Sequence, residues 1–196
     1  MAGMDPREII VGPLEMWAAS AVEAEDDVDA TPSGNWGKIG TSGDENYDEA
    51  GISINHTQTL RYTRAVGATG PLKANRQSED LTIGFNLMDL SAAQYTKLLN
   101  NTTKSTDTSP NIDYIGLRRG PDVTVLSLIA RGTGLSPSGA SLNIQYYVPR
   151  AVQSGDLSPT FNKDGDAMLS AVFTALEYQS AGTDEQRFGR WVVQTS

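Results

Sequence analysis

Two stretches, Gly51-Ile52-Ser53-Ile54-Asn55-His56-Thr57-Gln58-Thr59-Leu60 and Asp80-Leu81-Thr82-Ile83-Gly84-Phe85-Asn86-Leu87, decide the fold class of this chain. In the first, Ile52, Ile54 and Leu60 share one phase of a two-residue repeat, and Ser53, Asn55, Thr57 and Thr59 share the other. In the second, Leu81, Ile83, Phe85 and Leu87 alternate with small or polar residues. Successive side chains of a strand point to opposite faces, so both stretches read as half-buried strands. The connection between them, Thr63 to Glu79, contains Gly67, Gly70-Pro71 and the cations Arg64, Lys73 and Arg76. It is too long for a tight hairpin. It is either a long loop or an arm that extends past the domain body, and connections of this length tend to carry function.

The rest of the chain extends the β reading. Arg7–Ser20 is expected to be a strand with Pro13 marking a bend or edge. Glu23–Gly34 reads as an acidic loop, Trp36–Ile39 as a short strand or turn, and Thr41–Ala50 as an acidic, turn-rich segment. The span 89–100 reads as the one clear helix, capped by Asp89 or Ser91. Thr103–Asn111 is polar and without periodicity, and Ile112–Leu117 reads as a short strand. Asp122–Ala130 is an almost continuous apolar run, as in a central strand, and Leu142–Val148 is a strand that Pro149 should end. Val152–Leu157 and Phe188–Val193 are further short strands. Ala167–Tyr178 fits both periodicities, and its Ala and Leu content tips local propensity towards helix. The result is an antiparallel, mainly β body in a single domain spanning 1–196.

Composition removes several functions. The 196 residues include no cysteine and one histidine, His56, which excludes disulfides, thiolate metal sites, Cys nucleophiles and multi-His metal sites. No run is long and apolar enough to span a membrane, and Met1–Glu8 does not read as a secretory signal, so a cytoplasmic origin is expected. Residues 1–50 hold 12 acidic and 2 basic side chains, a net of −10, and the remaining 146 hold 12 and 13, a net of +1. The acidic excess is therefore local, and it disfavours a surface that wraps phosphates. Asn162–Asp166 resembles a calcium loop only faintly, with its glycine early and no closing glutamate, and reads as a turn. Gly132-Thr133-Gly134 lacks the rest of a phosphate loop. His56 is in phase with Ile54 and reads as a packed or hydrogen-bonded residue at the edge of the core. Trp17, Trp36 and Trp191 read as core anchors rather than a stacking platform. Two-carboxylate hydrolysis stays open in sequence, because such pairs meet only in the fold.

In order and spacing the chain resembles the major tail tube proteins of bacteriophages with long, non-contractile tails. The likeness is carried by Ile9-Ile10-Val11-Gly12-Pro13-Leu14-Glu15-Met16-Trp17, by Trp36-Gly37-Lys38-Ile39-Gly40 and by Gly51-Ile52-Ser53-Ile54. It continues through Gly70-Pro71-Leu72-Lys73-Ala74-Asn75-Arg76, Glu79–Leu87, the helix that follows, and Met168–Leu176. The acidic insertion Glu23–Asp29 departs from the pattern. The resemblance implies an antiparallel β-sandwich or partly closed barrel with one flanking α-helix and a long extended hairpin or loop arm at 61–79. It also implies that Ala167–Tyr178 is a strand. It further implies hexameric rings stacked into a tube, the conduit for DNA at ejection, with tail-tip, tape-measure and tail-terminator proteins as partners. The expected location is the virion, after assembly in the host cytoplasm, with no cofactor, no metal and no enzymatic activity. On this reading Arg61, Arg64, Leu72, Lys73 and Arg76 belong to an intersubunit arm, ordered by neighbouring rings. Glu25, Asp26, Asp27, Asp44, Glu45, Asp48 and Glu49 are candidates for lumen or interface loops. A carbohydrate-binding or adhesin-like β-sandwich module is the competing expectation.

Overall fold

The computed structural model describes residues 12–40, 46–99, 103–133, 142–159, 161, 163, 166–183 and 185–195. Asp44, Glu45, most of the calcium-like stretch and Ile9–Val11 lie outside the described residues. The fold is mainly β, with one large antiparallel sheet and a short helix. Its elements are β1 (Glu15–Ser20), β2 (Gly37–Ile39), β3 (Tyr47–Thr63), β4 (Lys73–Leu87), α1 (Ala92–Leu99), β5 (Lys104–Asp107) and β6 (Ile112–Ile115). There follow β7 (Leu126–Gly132), β8 (Ile144–Gln153), β9 (Leu169–Ala175), a single turn α2 (Glu185–Phe188) and β10 (Arg190–Val193).

The sheet order is β2-β1-β7-β8-β9-β4-β3, and β10 joins it by pairing with β8. β7 is central, as its apolar run predicts, and six of its seven residues, from Ser127 to Gly132, are buried. β8 is a fork. One edge pairs with β7, and the other is shared between β10, along Ile144–Tyr147, and β9, along Ala151–Gln153. Pro149 does not end β8. It sits at the change of partner, where the β7 register slips between Leu126↔Ala151 and Leu128↔Val148. A bulge tolerates a residue without an N–H, and the Pro149 carbonyl accepts from Val22 N at 2.9 Å and Ser127 Oγ at 2.8 Å.

The fork lets the sheet fold over itself. Met16, Leu128 and Val148 from one half join Ile83, Phe85, Leu169 and Phe173 from the other in a single buried cluster. The outcome is a β-sandwich-like fold with partial closure. Tyr47, at the start of β3, makes the closure. Its hydroxyl accepts from Met16 N at 3.1 Å and donates to Ile39 O at 2.7 Å, so the last strand of the order is tied to the first two. α1 covers the same seam. Gln94 Oε1 accepts from Gly40 N at 3.0 Å, and Lys97 Nζ donates to Lys38 O at 2.6 Å. Ser91 caps the helix through Gln94 N, and Asp89 accepts from Ser91 N, so both expected capping residues take part.

Several expectations need correction. Ala167–Tyr178 contains strand β9, as the resemblance implies, and it is the local helix propensity that fails, because Leu169, Ala171, Phe173 and Ala175 face the core in alternation. β1 begins only at Glu15, and Tyr47–Ala50 belongs to β3 rather than to a turn. The polar Lys104–Asp107 pairs with β6 in a small separate hairpin, held by Lys104–Asp113 at 3.0 Å and Thr106–Asp113 at 2.6 Å. Val152 and Gln153 continue β8 instead of starting a new strand. His56 is hydrogen-bonded, one of its two expected states, but exposed rather than packed at the core edge: its Nε2 lies 2.5 Å from Glu79 Oε1, and its ring is 6.3 Å from that of Phe188. Trp36 is buried, but Trp191 is half-exposed.

Candidate assembly interface

The connection between β3 and β4 is shorter than the sequence suggests, and the arm is longer. β4 starts at Lys73, so only residues 64–72 link the strands. The ladder runs from Asn55↔Thr82 out to Thr63↔Lys73, with Gln77 as an extra residue between Thr59↔Ser78 and Leu60↔Arg76. β9 stops covering β4 at Thr82. Beyond that pair the two strands pair only with each other, as a ribbon eight residue steps or about 26 Å long at a strand's rise per residue, whose first pair, His56 and Leu81, still meets the body. Almost every side chain on it is exposed on both faces.

All five proposed arm residues lie on this ribbon or its tip. Leu72 N donates to Thr63 O at 2.8 Å and closes the ladder, while the Leu72 side chain is 66% exposed. Val66 is fully exposed, and Tyr62 is half-exposed. Arg61, Arg64 and Lys73 put three cations and no acid into residues 61–73. Arg76 is different. It is held against the ribbon's base by Glu79 at 2.8 Å and Gln58 at 3.1 Å, beside the His56–Glu79 contact. It braces the arm rather than presenting a charge to a partner.

The acidic residues divide into two groups. Glu25, Asp26 and Asp27 belong to a strap, residues 23–30, that lies on the outer face of β1, β7 and β8 around Trp36, Ile129 and Tyr147. Arg131, 3% exposed, organises this strap. Its Nε donates to Gln145 Oε1 at 2.9 Å, and its Nη2 donates to Asp27 O at 2.7 Å. Gln145 Nε2 in turn donates to Glu25 Oε1 at 2.8 Å and to Asp26 O at 3.0 Å. Burial pulls the Arg131 pKa down, and Asp26, Asp29, Glu25 and Glu15 oppose that shift. Glu25 pairs with Arg190, and its side chain is only 9% exposed. Asp26 accepts from Ser33 N at 2.6 Å. Those two acids hold the strap in place, and of its acids only Asp27 and Asp29 are exposed.

Asp48 and Glu49 form the second group, on β3. Here the ladder jumps from Tyr47↔Leu87 to Ile52↔Phe85, five residue steps on β3 against two on β4, and Gly51 takes φ +65°. The bulge borders a groove of about 660 Å³ between the starts of β3 and β8, lined by Leu14, Ile52, Ile144 and Tyr146 among others. Sharing Ile54 and Tyr146, it runs on into a second hollow of about 410 Å³ at the arm's base, beside Phe188 and Trp191.

Sequence reasoning missed Arg131 and Gln145, whose only signal is a cation and an amide at the ends of apolar runs. Among the described residues, no three His, Asp or Glu side chains are grouped to hold a metal ion. None of the described helices is long and apolar enough to cross a membrane. No family model matches the chain, and no curated protein matches it.

Proposed function

We propose that this chain is a structural subunit that assembles by repeated contacts between copies into rings stacked as a tube, the tail tube of a phage or phage-like particle. The observation that carries this reading is the β3–β4 ribbon. Past His56 the outer part of β3 pairs only with β4 and is almost wholly exposed, and with the connection that follows it presents Tyr62, Val66 and Leu72 to solvent. Burying three such side chains on a neighbour is worth roughly 5–9 kcal/mol. That falls within the range of about 4–15 kcal/mol lost in freezing rigid-body motion. One arm contact is therefore marginal, and repetition around a closed ring and along a stack makes it effective. An outward acid such as Asp27 suits a conduit that lets DNA slide, since it offers phosphates no counterion-release attraction.

The test shortens the arm without disturbing the body. Thr59 and Ser78 face each other, so replacing residues 60–77 by Asn-Gly closes a two-residue hairpin. The parent chain should form rings and tubes in electron micrographs. The shortened chain should keep its unfolding midpoint and form no tubes. Tubes from the shortened chain, or parent protein that stays monomeric at every salt and concentration, would refute the proposal.

One observation favours a second reading, a carbohydrate-binding module. Trp191 stacks on Tyr146 at 5.9 Å and 17° beside the hollow at the arm's base, which leaves indole surface for a sugar ring. The polar groups there, Glu79 and Arg190, are already paired. Saccharide binding by a stable monomer would favour this module.

A further inference from the structure

We propose that the acidic mouth of the groove beside the β3 bulge receives the arm tip of a second copy of this chain. The inference rests on the assembly reading above and names the surface at which the arm docks. The groove and the tip match in two independent ways. Leu14, Ile52, Ile144 and Tyr146 give the groove apolar walls, and Asp48 and Glu49 give it an anionic rim. The tip carries exposed Val66 and Leu72 between Arg64 and Lys73, with no acid from 61 to 73.

Asp48 adds a specific demand. One of its carboxylate oxygens accepts from Asn86 Nδ2 at 2.6 Å, and Oδ1 is buried with no partner. A carboxylate short of one hydrogen bond is costly, and a cation brought into the groove compensates it. The bulge helps as well, because the backbone of residues 48–51 is out of register with β4.

The occupant must come from another copy. Gly51 borders the groove, and Thr63 ends the same strand 12 residues on, about 40 Å away at a strand's rise per residue. An arm cannot bend back to its own groove without breaking the ladder from Asn55 to Thr63. Tip-to-groove contact is therefore heterologous and propagates from copy to copy, as rings and filaments require.

The chain has no cysteine, so introduced thiols are unique. Copies carrying Val66→Cys are mixed with copies carrying Glu49→Cys under tube-forming conditions and oxidised gently. Disulfide-linked pairs are expected from the mixture and not from either variant alone, and the double variant should give a ladder of linked chains. Micrographs of the same samples separate two failures. Tubes without mixed links overturn the groove assignment alone, whereas no assembly at all removes the functional reading with it. Links of Val66→Cys to itself also overturn the assignment. Charge reversal provides a second measurement at exposed positions. Lys73→Glu and Glu49→Lys should each raise the assembling concentration at least about tenfold, and together should restore it to within about threefold of the parent. Lack of any restoration counts against the pairing.

Discussion

Tyr47→Phe removes one oxygen from the seam that closes the sheet, and its cost can be worked from the geometry. Met16 and Ile39 face each other across β1 and β2, and the Tyr47 hydroxyl sits between them. It takes the Met16 N–H at 3.1 Å and gives its proton to the Ile39 carbonyl at 2.7 Å. Both residues are almost fully buried. Phenylalanine leaves a donor and an acceptor without partners, each worth about 1–3 kcal/mol when unsatisfied. The two groups can recover part of that by moving towards each other, so we expect a loss of about 2–3 kcal/mol. At about 2–4 °C per kcal/mol for a chain of this size, the midpoint should fall by roughly 4–12 °C. The ring's edge-to-face contact with Phe85, centroids 5.6 Å apart, survives the change. Tyr47→Leu should therefore cost about 1 kcal/mol more. Urea unfolding of dilute protein reads both values, and the m value should stay constant. A loss under about 0.5 kcal/mol for Tyr47→Phe, at unchanged m, would mean that the hydroxyl does not hold the seam.

Alkaline pH tests the same burial. Burial raises the Tyr47 and Tyr147 pKa values from 10.0 to about 12; a backbone hydrogen bond from Met16 opposes the shift at Tyr47, Glu25 adds to it at Tyr147, and Arg190 opposes it there. The folded state keeps these protons longer than the unfolded state, so their contribution is complete below pH 10 and is lost between 10 and 12. Tyr47→Phe should flatten that decline in a pH series of unfolding midpoints; an unchanged slope would contradict the assignment. Gln145→Leu removes the acceptor of the buried Arg131 and should cost about 3–5 kcal/mol. The double variant Arg131→Met/Gln145→Leu should be less destabilised than Gln145→Leu alone, and a double-mutant cycle that shows simple additivity would argue against coupling. Gly40→Ala places a Cβ 2.5 Å from the Asn46 side chain at φ +93°, and should cost more than the about 1–2 kcal/mol of a left-handed residue alone. Gly67→Ala has a similar φ of +95° in open space, so its thermal shift should be clearly the smaller of the two.

Periodicity was informative only where one face of an element is dry. Ile52, Ile54, Ile83, Phe85 and Leu87 alternate because β3 and β4 lie over the core there. From Lys73 to Asp80 β4 has water on both faces, so no alternation marks it, and the sequence leaves a long loop and an extended arm both open. At β9 Leu169, Val172, Phe173 and Leu176 sit at helical spacing while Leu169, Ala171, Phe173 and Ala175 alternate as in a strand, and its place between β8 and β4 resolves the choice. Pro149 reads as a stop because sequence cannot show that β8 changes partners at that residue. The proposed arm cations were legible as an unbalanced cluster. The acids were legible only as a group. Glu25 and Arg190 stand 165 residues apart in the chain, so nothing local indicates that this carboxylate is tied down while Glu49 is exposed.

By itself, the sequence determined the β class, the capped helix, the absence of cysteine chemistry and the contrast between an acidic first quarter and a basic connection. These follow from local rules, side-chain alternation, first-turn capping and charge counting, which need no knowledge of distant residues. Only the tertiary structure decided that the connection is a paired ribbon, that Tyr47 closes the seam, that Arg131 holds the strap and that Asp48 and Glu49 border a groove. Each of those depends on ladder pairing or on a hydrogen-bond partner far along the chain, and the folded backbone alone brings such partners within reach.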